Sequence, residues 1–145
     1  MQGTQFETDL KRGQNLELIV KQLFESKGYK VVLPIGDAYH PNWDMVIYKN
    51  ILTGVESDPT AYVEVKTDFL SAVTKNISIE HIALQKTKAT HFVFLVTTPY
   101  LIKTADLEWL AYSPDFKQVS GGDDGRKQTL IPLNSNAFKE KFHLI

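Results

Sequence analysis

The sequence predicts an α/β fold in which a mixed central β-sheet is flanked by helices. Three observations lead there. An apolar stripe of helical period runs through the early part of the chain. Short stretches rich in β-branched and aromatic residues follow it, separated by turn residues. A second helical stretch then comes after a strongly apolar strand, so helices and strands interleave rather than segregate. The 145 residues suit one domain, spanning 1–145, with a real core.

The elements follow in order. Asp9 to Lys27 reads as a helix, because Leu16, Ile19, Val20, Leu23 and Phe24 share one face. Thr8 or Asp9 is placed to cap its start, and Gly28 fits just past its end. Gly13 falls on the packed face, where a missing side chain permits close approach. Glu17 lies beside the stripe. It is either a boundary residue paired with Lys21 or a participant in a site, and the helix alone does not decide. Tyr29 to Leu33 is a first strand, ended by Pro34 and Gly36. A second strand runs from Met45 to about Tyr48, and residues 49–60 have loop chemistry. Ala61 to Thr67 is a third strand, and Ile77 to Ile82 alternates as a fourth. Gln85 to Thr90 is a short connection with room for a helical turn. His91 to Val96 is apolar enough for a buried strand, ended by Thr97, Thr98 and Pro99. Thr104 to Tyr112 is a second helix, capped by Thr104, with Leu107, Leu110 and Ala111 on one face. Phe116 to Ser120 and Gln128 to Leu133 read as two edge strands joined by a turn at Gly121 to Gly125. Asn136 to Phe142 is a short terminal helix.

The totals exclude several chemistries. With no cysteine, disulfides, thiolate catalysis and iron–sulfur ligation are absent. His40, His81, His91 and His143 show no ligand spacing, which argues against zinc. The polar start, Met1 to Gln5, lacks the apolar core of a signal peptide, and no stretch is apolar for long enough to span a bilayer, so a cytoplasmic protein without membrane contact is expected. Net charge is −1, so no global basic field advertises nucleic acid.

The chemistry concentrates in Tyr62-Val63-Glu64-Val65-Lys66-Thr67 and in Trp43-Asp44. Alternation along a strand puts Val63 and Val65 on one face, with Tyr62, Glu64 and Lys66 on the other. If the strand after Asp44 pairs with this one, Asp44 sits beside Glu64 and Lys66. Two carboxylates and a lysine converging at a sheet edge suit a hard divalent cation with a phosphate nearby.

In this order the chain resembles the PD-(D/E)XK nuclease superfamily, whose restriction-endonuclease-like core runs αβββαβ. The family's Glu-x-Lys is present as Glu64-Val65-Lys66, and its Pro-Asp appears as Trp43-Asp44. Glu17 occupies the place of the glutamate that many members carry on the first helix. Ile77 to Glu80 and Lys86-Thr87-Lys88-Ala89 look like small stand-alone phage and resolvase-like members. The likeness covers roughly Asp9 to Thr97. It implies a metal-dependent deoxyribonuclease, an endonuclease-like hydrolase acting in phage or mobile-element recombination, replication or repair. Structure-selective cutting is expected of so small a chain. Metal would be held by Asp44, Glu64 and the Val65 carbonyl, with Glu17 assisting and Lys66 stabilising developing charge. Magnesium suits these oxygen ligands, with manganese as a substitute. Glu80 is a candidate further ligand or substrate contact, while Lys75, Lys86, Lys88 and Arg126 are candidate phosphate contacts. Tyr39, His40 and Trp43 are candidates for stacking on an unpaired base. DNA is the expected partner, and a homodimer the expected assembly, since two nicks need two sites. The alternatives are a catalytically silent module of this fold that binds nucleic acid or a protein, and a structural or host-interaction protein on which Glu64 and Lys66 form a solvated strand face.

Overall fold

A computed structural model describes residues 5–33, 43–49, 60–67, 74–96, 98–121 and 126–145, with side chains from Leu16 onward in the first of these and not at Lys49 or Gly121. Residues 34–42, 50–59, 68–73, 97 and 122–125, and with them Tyr39, His40 and the middle of the expected Gly121 to Gly125 turn, lie outside the described residues. The side of the helix that Gly13 occupies lies outside them too.

Helix α1 (Gln5–Ser26) starts four residues before the expected Asp9, so Thr8 and Asp9 lie within it rather than capping it. Its end is as expected: Gly28 takes φ +93°, and Lys27 and Gly28 donate back to the carbonyls of Phe24 and Glu25 at 3.0 Å. The left-handed residue lets the chain reverse directly into β1 (Tyr29–Val32).

Strand β1 pairs antiparallel with β2 (Met45–Lys49), and β2 pairs antiparallel with β3 (Ala61–Thr67). The chain then crosses over through β4 (Asn76–Glu80) and α2 (His81–Lys86) to β5 (His91–Leu95), which lies parallel to β3. A parallel neighbour requires such a crossover. Strand β6 (Pro99–Lys103) adds antiparallel to β5, and β9 (His143–Leu144) pairs with β6. The result is a six-stranded mixed sheet, ordered β1-β2-β3-β5-β6-β9. A second, three-stranded antiparallel sheet is ordered β4-β8-β7, formed with β7 (Lys117–Gly121) and β8 (Arg126–Pro132). Helices α3 (Thr104–Ala111) and α4 (Asn136–Lys141) complete the chain. Among the described residues no helix is long and apolar enough to cross a membrane.

The two faces of the large sheet carry separate cores. Val20 and Phe24 of α1 pack with Met45, Ile47, Val63, Val93 and Leu95 on one face. Phe92, Phe94 and Ile102 pack with Ile77, Leu107, Leu110 and Ile131 on the other. Strand β5 serves both, which explains its unbroken apolar run.

Several expectations change. Ile19 is 48% exposed, because α1 covers the sheet with a narrower stripe centred on Val20 and Phe24. The fourth strand stops at Glu80, and His81 and Ile82 open α2 instead. Thr104 does not cap α3; its hydroxyl donates to the Ala89 carbonyl, across the β5 connection, at 2.9 Å. The strand at Gln128 to Leu133 is the centre of its sheet rather than an edge, because β4 pairs with its free side. Strands β6 and β9 had no sequence signal: Pro99 at the head of β6 read as a terminator, and β9 is only two residues.

Candidate active site

Strand β3 and the residue ahead of β2 bring the expected groups together. Met45 lies opposite Val63, which sets Asp44 beside Glu64. The Asp44 amide donates to the Val63 carbonyl at 2.8 Å. The Asp44 carboxylate in turn accepts the Val65 amide at 2.6 Å. This aspartate therefore continues the β2–β3 ladder past the point where β2 ends, using its side chain in place of backbone. A strand residue directs its N–H and C=O to the same edge. The Val65 carbonyl consequently faces the side on which Asp44 stands.

Glu64 and Lys66 share one face, as alternation requires, and Lys66 Nζ lies 3.3 Å from Glu64 Oε2. The other Glu64 oxygen, Oε1, accepts from Thr87 Oγ1 at 3.2 Å. Thr87 is itself held, since its Oγ1 accepts the Ala89 amide at 3.0 Å. Both oxygens of Glu64 are thus oriented before any ligand arrives. Trp43, a candidate for base stacking, packs against Tyr62, ring centroids 4.6 Å apart.

Glu17 reaches the site from α1. It bonds to the Asp44 side chain rather than pairing with Lys21, whose ammonium turns to Glu25. Burial, then the Asp44 charge, then the hydrogen bond to Asp44 push the Glu17 carboxyl from 4.5 up to about 7. Asp44 is also raised, by burial first, with the Val65 amide pulling the other way. Two carboxyls this close cannot both ionise freely, and the hydrogen bond between them raises Glu17 and lowers Asp44, so Glu17 is the member that takes up a proton more readily.

These groups line one cleft of about 350 Å³. Glu17, Asp44, Glu64, Val65 and Lys66 form one side, while Glu80, Ile82, Ala83, Lys86, Thr87 and Arg126 form the rest. Glu80 and Arg126 meet across β4 and β8 at 3.4 Å. Of the expected contacts, Lys88 is exposed and outside this lining, as is Lys75. Thr87 was not among the expected site residues. Its signal was its place in the Lys86 to Ala89 stretch, but a lone threonine there does not announce a partner on another strand. Among the described residues, no three His, Asp or Glu side chains are arranged to hold a metal ion by themselves.

Comparison with known proteins gives one structural likeness. The fold is similar to that of D212, a nuclease from a fusselovirus, with a TM-score of 0.50, 12% identity, and coverage of 91% of this chain and 86% of that one. The sequence matches no protein-family model and no curated protein.

Proposed function

We propose that this chain is a metal-dependent nuclease of the PD-(D/E)XK type, hydrolysing DNA phosphodiester bonds in the cytoplasm. The observation that carries the reading is the meeting, in one cleft, of Glu64 and Lys66 of β3 with Asp44 and Glu17 from earlier parts of the chain. The fold likeness to a viral nuclease supports it. A role in phage or mobile-element DNA processing, and a preference for DNA structure over sequence, fit a small chain of this kind.

The donor set fits magnesium. Asp44, Glu64 and the Val65 carbonyl offer hard oxygen atoms only. Magnesium is ordinarily held by one or two carboxylates, with waters and substrate phosphate completing its shell, so a third acidic ligand is not needed. When bound, the ion supplies positive charge against the phosphodiester and acidifies water. Every other part falls to the protein. Asp44 and Glu64 are held in place by the Val65 amide and Thr87. Glu17 releases or accepts a proton next to Asp44. Lys66 presents its ammonium where negative charge develops on the phosphate. Lys86 and Arg126, on the opposite wall, position the backbone of the strand.

The test incubates wild type, Asp44→Ala and Lys66→Ala with labelled duplex, single-stranded, flap and junction DNA, in magnesium, manganese or chelator. Wild type cuts at least one of them with metal and none with chelator, and both variants are inactive. A wild type that binds DNA but cuts none of these substrates in either metal is a silent binding module instead.

A further inference from the structure

A second recess adjoins the cleft. It also measures about 350 Å³ and is lined by His81, Ile82, Gln85, Tyr112, Arg126 and Lys127. Ile82 and Arg126 line both spaces, so the two lie side by side. Their chemistry differs. The cleft carries four carboxylates, whereas the recess has none in its lining and two cations.

Its aromatic wall is built in advance. Thr129 is fully buried, and its hydroxyl donates to the Ala111 carbonyl at 2.6 Å. That proton being committed, the Thr129 oxygen accepts from His81 Nε2 at 2.7 Å. The imidazole is thereby locked in orientation. Tyr112 packs on it, ring centroids 4.9 Å apart, yet remains 53% exposed. A half-exposed ring braced from behind by a fixed imidazole loses little freedom when a flat ligand covers it.

An aromatic platform, two cations and the Gln85 amide, beside the cleft proposed to receive a phosphodiester, match an unpaired nucleotide. A base stacks on a ring, its phosphate meets cations, and its edge meets an amide. Base pairs inside a duplex are closed to this mode, since both their faces are already stacked. We propose that the recess holds an unpaired nucleotide flanking the phosphodiester in the cleft, with its base on Tyr112 and its phosphate at Arg126 and Lys127. The inference rests on the nuclease reading for the direction of the strand and narrows its substrate class to DNA with a single-stranded stretch at the cut.

The test uses the full chain carrying Lys66→Ala, so that DNA stays intact in magnesium. Binding is measured to a duplex with a short unpaired overhang containing 2-aminopurine, and to the same duplex with blunt ends. Tyr112→Ala is expected to weaken overhang binding roughly tenfold, the scale of one lost stacked base, and to abolish quenching of the fluorescent base. It leaves blunt duplex unchanged, and Tyr112→Phe retains both signals. Lys127→Ala, at an exposed position, reduces the salt dependence of overhang binding by about one unit of slope. Equal overhang affinity and equal quenching in wild type and Tyr112→Ala, with no change of slope in Lys127→Ala, overturn the subsite. If the protein with Lys66 intact still cuts DNA in that case, the nuclease reading survives alone. If it cuts nothing while the Tyr112 signals hold, the subsite stands and the enzymatic reading falls.

Discussion

Asp44 does two jobs that a single substitution separates. As a strand surrogate it accepts the Val65 amide, and as a carboxylate it competes with Glu17 for a proton. Asp44→Asn keeps an oxygen for the amide but removes the charge. It is expected to fold, to lose metal-dependent cutting, and to let the Glu17 carboxyl fall from about 7 towards its ordinary value, as read by NMR titration. Burial, the largest cause, remains, so the fall is partial. The same carboxyl sets a pH dependence whose sign is definite. Glu17 binds its proton more tightly folded than unfolded, so its contribution to stability is fully present below about 4.5 and is lost as pH rises through about 7. Without metal, melting temperature should decline across that window. Glu17→Gln, which stays neutral, should flatten the decline. Magnesium should reverse it, because the ion favours the ionised pair, and melts at pH 5 and pH 8 with and without magnesium measure all three. Thr87 acts one step away. Thr87→Val leaves Glu64 Oε1 without its donor, and a loss of about 10- to 100-fold in cutting rate is expected, as for other groups that orient a metal ligand. A loss far beyond about 100-fold would mean that Thr87 touches substrate itself.

Strand β3 is where local sequence and tertiary placement agree, and it carries two of the candidate site residues, Glu64 and Lys66. Glu64 and Lys66 were legible because a strand's period of two puts them on one face whatever the strand pairs with. Glu17 was legible only as a residue beside an apolar stripe. Which of Lys21 or Asp44 it faces depends on how α1 lies over the sheet, and no window of sequence holds that information. Ile19 failed for the same reason, since the way α1 lies over the sheet buries Val20 and Phe24 and leaves Ile19 48% exposed. Strands β6 and β9 exist because β5 and then β6 offer an open edge, a property of the assembled sheet. The turn after α1 is the opposite case. Gly28 needs only its own backbone: at φ +93°, with nothing within 4 Å of where a Cβ would stand, the cost of a side chain is conformational rather than steric. Gly28→Ala should therefore lower stability by about 1 kcal/mol, measured by urea unfolding, with cutting unchanged because α1 keeps its position.

Strand β8 joins the parts of the molecule that sequence order keeps apart. It pairs with β4, which leads from the cleft into α2, and with β7, and its Thr129 hydroxyl ties His81 at the start of α2 to Ala111 at the end of α3. No sequence pattern marks that threonine. It reads as one more polar residue of an alternating strand, and its meaning comes from two partners distant in the chain. Thr129→Val fills the same space but leaves the Ala111 carbonyl and the His81 N–H buried without each other's link. Each such loss costs about 1–3 kcal/mol, so a fall of about 2 kcal/mol or more is expected in urea unfolding. The variant also tests whether the two recesses work as one groove. Asp44, Glu64 and Lys66 stand on a different sheet and make no bond to Thr129, so cutting of a substrate that needs only the cleft should persist. The His81 ring, no longer pinned, should stop bracing Tyr112, and binding of DNA with an unpaired overhang should weaken although the substitution lies on a fully buried side chain. Equal losses for blunt and overhanging DNA would show instead that β8 supports the whole cleft and gives the recess no separate role.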